Sequence, residues 1–299
     1  MTTEQESRQG ILLAIAAYTM WGIAPIYFKA ISQVPALEIL SHRVIWSFIL
    51  LAVLLQIGRR WRGTRDICRS KSKMLLLIST ALLVGVNWLI YIWAVNSNHM
   101  LDASLGYYIN PLLNVMLGLI FLGERLRKMQ WFAVTLATCG VAIQVIIFGS
   151  IPIVAIALAL TVGFYGLLRK KVKVDAQTGL FIETLVMLPA AAIYLLWIAD
   201  SATSDPSLNT VTLNMLLICA GIVTTLPLLC FTGAATRLKL STLGFFQYIG
   251  PSLMFLLAVL VYGEAFTADK AITFAFIWGA LAIFSFDGLK ASNQRKTQV

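Results

Sequence analysis

Two nearly identical stretches, Tyr108-Ile109-Asn110-Pro111 and Tyr248-Ile249-Gly250-Pro251, lie 140 residues apart in the chain. The match continues toward the C-terminus, and seven of the 17 aligned positions are identical. These further identities are Leu113 with Leu253, Leu117 with Leu257, and Gly123-Glu124 with Gly263-Glu264. The spacing indicates an internal repeat of about half the 299-residue chain, and we predict repeats over residues 1–148 and 149–299.

The composition indicates an integral membrane protein. Hydrophobic residues make up 59% of the chain and charged residues 12%, whereas soluble domains have about 45–50% and about 25%. A membrane-spanning helix needs about 20 residues. The apolar runs predict ten such helices, which leave no room for a soluble nucleotide-binding or catalytic domain. These helices span 11–30, 37–57, 74–95, 102–122, 130–147, 151–168, 179–199, 212–233, 241–262 and 271–288.

The positive charge of the chain predicts its orientation. The net charge of +10 is confined to short clusters between apolar runs, which is typical of membrane-flanking charge and not of a nucleic-acid-binding surface. Twenty of the 23 Lys and Arg residues fall on alternate connections and tails, two fall on the other side, and Arg43 lies within a helix. We therefore expect ten spans with both termini in the cytoplasm.

An odd number of helices per repeat makes the second repeat enter the membrane upside down. Inverted repeats are typical of alternating-access transporters, whose solute site lies near the midplane between the halves. Pro111 and Pro251 fall near the centres of predicted helices 4 and 9. Proline lacks an N–H and frees the carbonyl four residues earlier, so we predict breaks that free the carbonyls of Tyr107 and Gln247. An ordinary packing kink is the alternative explanation.

Several uncharged polar side chains are candidates for a solute pocket. Amides and phenols suit a polar or amphipathic organic solute, and a deep tryptophan can supply an aromatic wall. Hydrogen bonding between helices, worth about 0.6 kcal/mol on average, explains any single one of them equally well. The candidates are Trp21, Asn87, Tyr91, Tyr107, Asn110, Gln247 and Tyr248, together with Pro111 and Pro251.

Three ionisable residues lie within predicted helices. Charges inside a membrane are costly and often functional. Arg43 is about 10 Å from the outer end of helix 2, where it can hold an anionic solute group, pair with Glu38 or extend to the surface. His42 and Glu183 are candidates for proton coupling, although both also have structural explanations.

No catalytic, metal or nucleotide motif is present, so we expect no cofactor. The four cysteines contain no CxxC pair. A membrane-embedded enzyme acting on lipid, with His42, and a passive membrane assembly partner remain as alternatives to transport. The small residues Ala271, Ala275 and Gly279 form a stripe on helix 10 that is compatible with a homodimer.

Four stretches of this sequence resemble the EamA family of the drug/metabolite transporter superfamily. They begin at Glu38, Asn87, Ala103 and Leu240, and include His42-Arg43, Asn87-Trp88 and the two Pro-containing repeats. The resemblance extends over nearly the whole chain. It implies a permease of the bacterial inner membrane that moves a small organic metabolite or drug-like solute, more readily outward than inward. The resemblance does not identify the solute.

Overall fold

The computed structural model describes residues 3–96, 100–148, 153–261 and 268–296, and all regular structure within these ranges is helical. A π-helical turn, Tyr194–Ile198, extends α8. The helices are α1 Thr3–Ala30, α2 Ala36–Ile57, α3 Trp61–Arg69, α4 Lys71–Asn96, α5 Met100–Leu122, α6 Lys128–Phe148, α7 Ile153–Val172, α8 Ala176–Ile193, α9 Val211–Arg237, α10 Leu240–Gln247, α11 Ile249–Leu260 and α12 Ala268–Lys296.

The prediction of an all-helical membrane protein is confirmed. Each predicted span overlaps a helix, and the ninth span is the pair α10 and α11. Seven described helices are long and apolar enough to cross a membrane, while Gly106–Leu122 and Ala271–Asp287 are shorter apolar segments. The short helix α3 in the basic connection was not predicted. Its Trp61 ring packs edge-on against Phe181, with the ring centroids 5.3 Å apart.

Polar caps and one glycine define where several helices begin and end. Asp175 accepts a hydrogen bond from the backbone N–H of Thr178, and Thr210 accepts one from that of Leu213. Each bond satisfies a first-turn N–H that has no partner within the helix. Gly123 has a φ of +61°, which favours glycine, and it reverses the chain directly after α5.

Helices from the N-terminal half pack mainly against helices from the C-terminal half. α1 contacts α9 and α11, α2 contacts α8 and α9, α4 contacts α7 and α8, α5 contacts α7 and α10, and α6 contacts α12. The buried core therefore lies between the two halves of the sequence. Large apolar side chains such as Leu12, Ile57 and Leu196 remain exposed on the outer surface, as expected of a surface that faces lipid.

Two glycines allow close helix crossings. A Cβ atom added at Gly22 of α1 would lie 2.7 Å from the Cβ of Leu253 on α11. A Cβ atom added at Gly163 of α7 would lie 2.9 Å from Cδ2 of Leu113 on α5. Leu113 and Leu253 are matched positions of the sequence repeat, so the two crossings involve corresponding leucines.

The predicted helix break at Pro111 is wrong, because α5 continues through that residue. One missing N–H removes a single backbone hydrogen bond, which a long helix can tolerate. The Tyr248 hydroxyl donates to the nearby Tyr108 carbonyl oxygen at 3.3 Å. In the second half, the helix is interrupted at Tyr248, three residues before Pro251. Gly263-Glu264 lies outside the described residues.

Two further expectations change. Arg169 was counted as a connection charge, but it lies in the last turn of α7 and is fully buried. This lowers the count on the predicted cytoplasmic side by one and leaves the asymmetry intact. On α12, Gly279 packs against Leu136 of α6. Part of the small-residue stripe is therefore used within the chain.

Candidate solute site

A small cavity lies between α2 and α4 of the N-terminal half and α7, α8 and α9 of the C-terminal half. The centre of a water molecule can occupy about 10 Å³ of it, which is near the minimum for one water. Ligand pockets usually measure about 300–1,000 Å³, so the helices must separate to admit an organic solute. The lining residues are Arg43, Val44, Ser47, Leu51, Val84, Trp88, Tyr165, Leu180, Glu183, Thr184, Met187, Thr224, Thr225 and Leu228.

Arg43 lines one part of this cavity. Its Nε donates to Oγ1 of Thr224 on α9 at 2.7 Å. Its Cζ lies 4.6 Å from the ring centroid of Trp88 on α4 and 5.5 Å from that of Phe28 on α1. These contacts direct the guanidinium group into the helix bundle, where the aromatic faces attract its charge.

The pair between Arg43 and Glu38 is not formed. Glu38 is buried, and its carboxylate accepts a hydrogen bond from the Thr203 hydroxyl at 2.8 Å. Thr203 lies in the connection between α8 and α9. The separation of Glu38 from Arg43 leaves the guanidinium without a carboxylate partner among the described residues.

Glu183 on α8 is the centre of a buried polar network. Its carboxylate accepts from the Thr80 hydroxyl of α4 at 2.6 Å and from the Tyr165 hydroxyl of α7 at 3.3 Å. The Nη1 atom of Arg169 lies 3.5 Å from the same carboxylate. Arg169 passes over Gly179 so closely that a Cβ atom there would collide with it. The sequence pattern did not reveal Arg169 because Lys170 and Lys171 follow it in a basic cluster.

The lining of the cavity combines corresponding positions from both halves. Arg43 and Glu183 are 140 residues apart, which is the offset of the sequence repeat. Arg43 bonds to a threonine of the C-terminal half, and Glu183 bonds to a threonine of the N-terminal half. Four more lining pairs share the offset, namely Val44 with Thr184, Ser47 with Met187, Val84 with Thr224 and Trp88 with Leu228.

Four other predicted site residues lie around the cavity but do not line it. The Trp46 indole donates to Nδ1 of His42 at 3.3 Å. Tyr91 and Tyr107 contact each other edge-on, with centroids 6.4 Å apart, and their hydroxyls interact electrostatically with Arg43. Trp21 packs against Phe231, with centroids 5.7 Å apart. These residues support the site and its surroundings.

Asn87 joins two helices. Its amide donates to the Leu158 carbonyl at 3.1 Å and to the Thr161 hydroxyl at 2.8 Å, which links α4 to α7. The structural interpretation of this residue therefore fits the contacts better than a role in the pocket.

The remaining predicted residues form the packed crossing of α5 with α10 and α11. The Asn114 amide donates to Oε1 of Gln247 at 2.9 Å, and Tyr248 reaches the Tyr108 carbonyl as described above. Asn110 is buried there, and its Oδ1 has no hydrogen-bond partner among the described residues. A Cβ atom at Gly244 would lie 2.7 Å from the Pro111 oxygen, and Pro251 is also buried. This crossing does not line the cavity.

Glu124 connects the two halves at the end of α5, a contact that the sequence pattern did not predict. Its carboxylate accepts from the backbone N–H groups of Leu240 and Ser241 at 2.6 and 3.0 Å, and from the Ser241 hydroxyl at 2.6 Å. We name these contacts the Glu124 clamp. A carboxylate at the start of α10 is favourable because the first N–H groups of a helix lack internal partners.

Comparison with known proteins places this geometry in a family. The model of the EamA-like transporter family matches residues 8–146. An uncharacterized transporter of Vibrio cholerae serotype O1 is 76% identical over 290 residues, covering 97% of this chain and 96% of that protein. Protein RarD of Escherichia coli K12 is 62% identical over 293 residues, covering 98% of both.

A solved crystal structure of a protein 19% identical in sequence covers 92% of this chain and 96% of its own, with a TM-score of 0.71. It shows that the helical fold is shared. Within the described ranges no group of three His, Cys, Asp or Glu side chains is placed to hold a metal ion. Family membership assigns the chain to the transporters and not to the membrane-embedded enzymes. The chain is a multi-pass membrane protein of the EamA-like transporter family and belongs with its RarD proteins.

Proposed function

We propose that the chain is a secondary transporter of the bacterial inner membrane that moves a small organic metabolite or drug-like solute by alternating access. The solute site is the cavity between Arg43 and Glu183. The observation that carries this proposal is that the cavity lies between the two halves and takes its lining from corresponding positions of both. Transporters with inverted repeats place their solute sites in this way.

The two repeats, residues 1–148 and 149–299, are inverted with respect to each other in this proposal. The matched crossings of Gly22 with Leu253 and of Gly163 with Leu113 support it. The positions of the two cavity charges support it as well. Arg43 is the eighth residue of α2 and Glu183 the eighth of α8, so each lies about 10 Å from the start of its helix. In inverted repeats these helices start at opposite membrane faces.

The proposed topology has ten crossings, with α10 and α11 together as the ninth, and both termini in the cytoplasm. Lys and Arg remain concentrated on one side of this arrangement after the reassignment of Arg169. The Glu124 clamp then lies on the cytoplasmic side and Arg43 lies nearer the outer side. Release of the clamp would let α5 and α10 separate and open the cavity toward the cytoplasm.

We propose that the solute gradient or a proton drives the cycle, with net transport outward. Glu183 is the candidate proton carrier because it lines the cavity and is held by Thr80, Tyr165 and Arg169. Protonation of this carboxylate would remove the charge that holds Arg169. His42, the other candidate, accepts a hydrogen bond from Trp46 and lies outside the lining.

We further propose that two copies associate through α12. Ala275 is exposed between Ala271 and Gly279 on that helix. A disulfide formed between copies of Ala275→Cys in native membranes supports this dimer, and its absence under oxidising conditions argues against it.

Transport can be tested before the solute is identified. Proteoliposomes are loaded with a defined mixture of amino acids, organic acids and nucleosides, and the external medium is analysed by mass spectrometry. Ser47→Trp is the control, because Ser47 lines the cavity and an indole there would fill it. We expect at least one compound to leave faster through the wild-type protein than through this variant. Equal efflux from wild-type, variant and protein-free liposomes would contradict the proposal.

A further inference from the structure

The charges around the cavity are unequally compensated. Glu183 has Arg169 beside it and accepts hydrogen bonds from Thr80 and Tyr165. Arg43 has no acidic partner in the described part of the chain, because Glu38 bonds to Thr203. The cavity and its immediate partners therefore carry one positive charge without a counter-ion. An unpaired charge at this depth is costly, and a bound anion would offset the cost.

The guanidinium group of Arg43 also has unused donors. Arginine carries five N–H donors, and the Nε donor is bonded to Thr224. Its terminal nitrogens donate to no acceptor in the described ranges. Two such nitrogens match the two oxygens of a carboxylate or the oxygens of a phosphate. The Trp88 and Phe28 rings hold the group in place.

The rest of the lining is mostly apolar. Val84, Met187 and Leu228 lie along the cavity together with the Trp88 ring. They offer a surface for a hydrocarbon or aromatic group. A solute ammonium group finds no free carboxylate, because Glu183 already has a basic partner. The site therefore favours a solute with one oxyanion and an apolar body.

We propose that the transported solute is an organic anion, whose carboxylate or other oxyanion binds the terminal nitrogens of Arg43 while its apolar part packs against Trp88. This inference rests on the proposed function and specifies its substrate class. Loss of a two-pronged, charge-assisted contact should weaken binding at least tenfold.

The probes for the test are 3-phenylpropionate, its amide and 3-phenylpropylammonium, which share one hydrocarbon body and differ in charge. The melting temperature of the purified protein is measured against each probe at constant ionic strength and pH 7. A ligand that binds the folded state raises this temperature saturably. We expect a saturable rise with the carboxylate and none with the amide or the ammonium.

Arg43→Gln should shift the half-maximal carboxylate concentration upward at least tenfold or abolish the rise. Arg65→Gln is the matched control, since Arg65 is exposed on α3, and it should respond like the wild type. If Arg43→Gln does not fold, Arg43→Lys, which keeps the charge but loses the two-pronged contact, should respond more weakly than the wild type.

The inference is overturned if the carboxylate gives no saturable rise, if the amide or the ammonium is equally effective, or if the response survives unchanged in the Arg43 variant. Efflux from proteoliposomes is measured independently of these probes. Efflux blocked by Ser47→Trp, together with no carboxylate-specific rise, would leave the transport proposal standing and reject the organic anion.

Discussion

The buried pair of Arg169 and Glu183 should dominate the effect of mutations on stability. Both side chains are almost completely buried, and the nearest nitrogen–oxygen distance is 3.5 Å. At an effective dielectric constant of about 20, two unit charges at this distance attract by about 5 kcal/mol. Desolvation opposes much of that gain, but removal of only one partner leaves the other charge buried and costs about 3–5 kcal/mol.

Arg169→Met should therefore lower the free energy of unfolding by about 3–5 kcal/mol. Glu183→Gln should also destabilise the protein, because the amide can still accept from Thr80 and Tyr165 but does not neutralise Arg169. The double variant should be more stable than the sum of the two single effects predicts, with a coupling energy of about 2–3 kcal/mol. The pair is then measured as an interaction and not as two separate side chains.

The assay is reversible denaturation in detergent, with the two single variants, the double variant and the wild type measured together. Arg60→Gln is the control, because Arg60 pairs with Asp175 at 3.2 Å while both side chains are largely exposed. An exposed pair is worth about 0–1 kcal/mol. Additive effects within about 0.5 kcal/mol for Arg169 and Glu183 would refute the reasoning, since two coupled buried charges cannot be additive.

Three further predictions concern contacts between the halves. Glu124→Gln should lower the free energy of unfolding by about 1–2 kcal/mol, since the clamp loses its charge-assisted hydrogen bonds; a loss below about 0.3 kcal/mol in denaturation would contradict this. Gly22→Ala and Gly163→Ala should each cost about 1–3 kcal/mol through overpacking, whereas Gly63→Ala, with nothing within 4 Å of an added Cβ, should cost nothing; equal melting temperatures would refute it. Asn114→Leu should cost about 0.6–1.7 kcal/mol, the range for hydrogen bonds between membrane helices, and unchanged stability would argue against that bond.

The helices could be predicted from the sequence because lipid leaves the backbone few alternatives. A long apolar run has to satisfy its hydrogen bonds internally, and this favours a helix almost regardless of its detailed sequence. The same argument explains why Pro111 did not break α5, since the neighbouring turns still bond normally. The short helix α3 lies outside the apolar runs and was not predicted.

The site was only partly predictable. Arg43 and Glu183 could be found because a charge within an apolar run is costly and therefore conspicuous. Tyr165 and Thr224 could not, because helices that are apolar on all sides do not show which face meets a neighbour. Asn87 illustrates the same problem, since its amide points to α7 and not to the cavity. Arg169 was hidden by the lysines beside it.

The most direct test of alternating access is the accessibility of a single cavity cysteine from the two sides of the membrane. Thr225→Cys is suitable because Thr225 lines the cavity and its hydroxyl has no hydrogen-bond partner among the described residues. Cys68 is kept as an internal control, since it is exposed on the connection predicted to be cytoplasmic, and the other native cysteines are replaced by alanine. A membrane-impermeant maleimide is added to right-side-out and to inside-out vesicles. We predict that the cavity cysteine reacts from both sides while Cys68 reacts only from the cytoplasmic side. Reaction of the cavity cysteine from one side only, or from neither, would contradict the account.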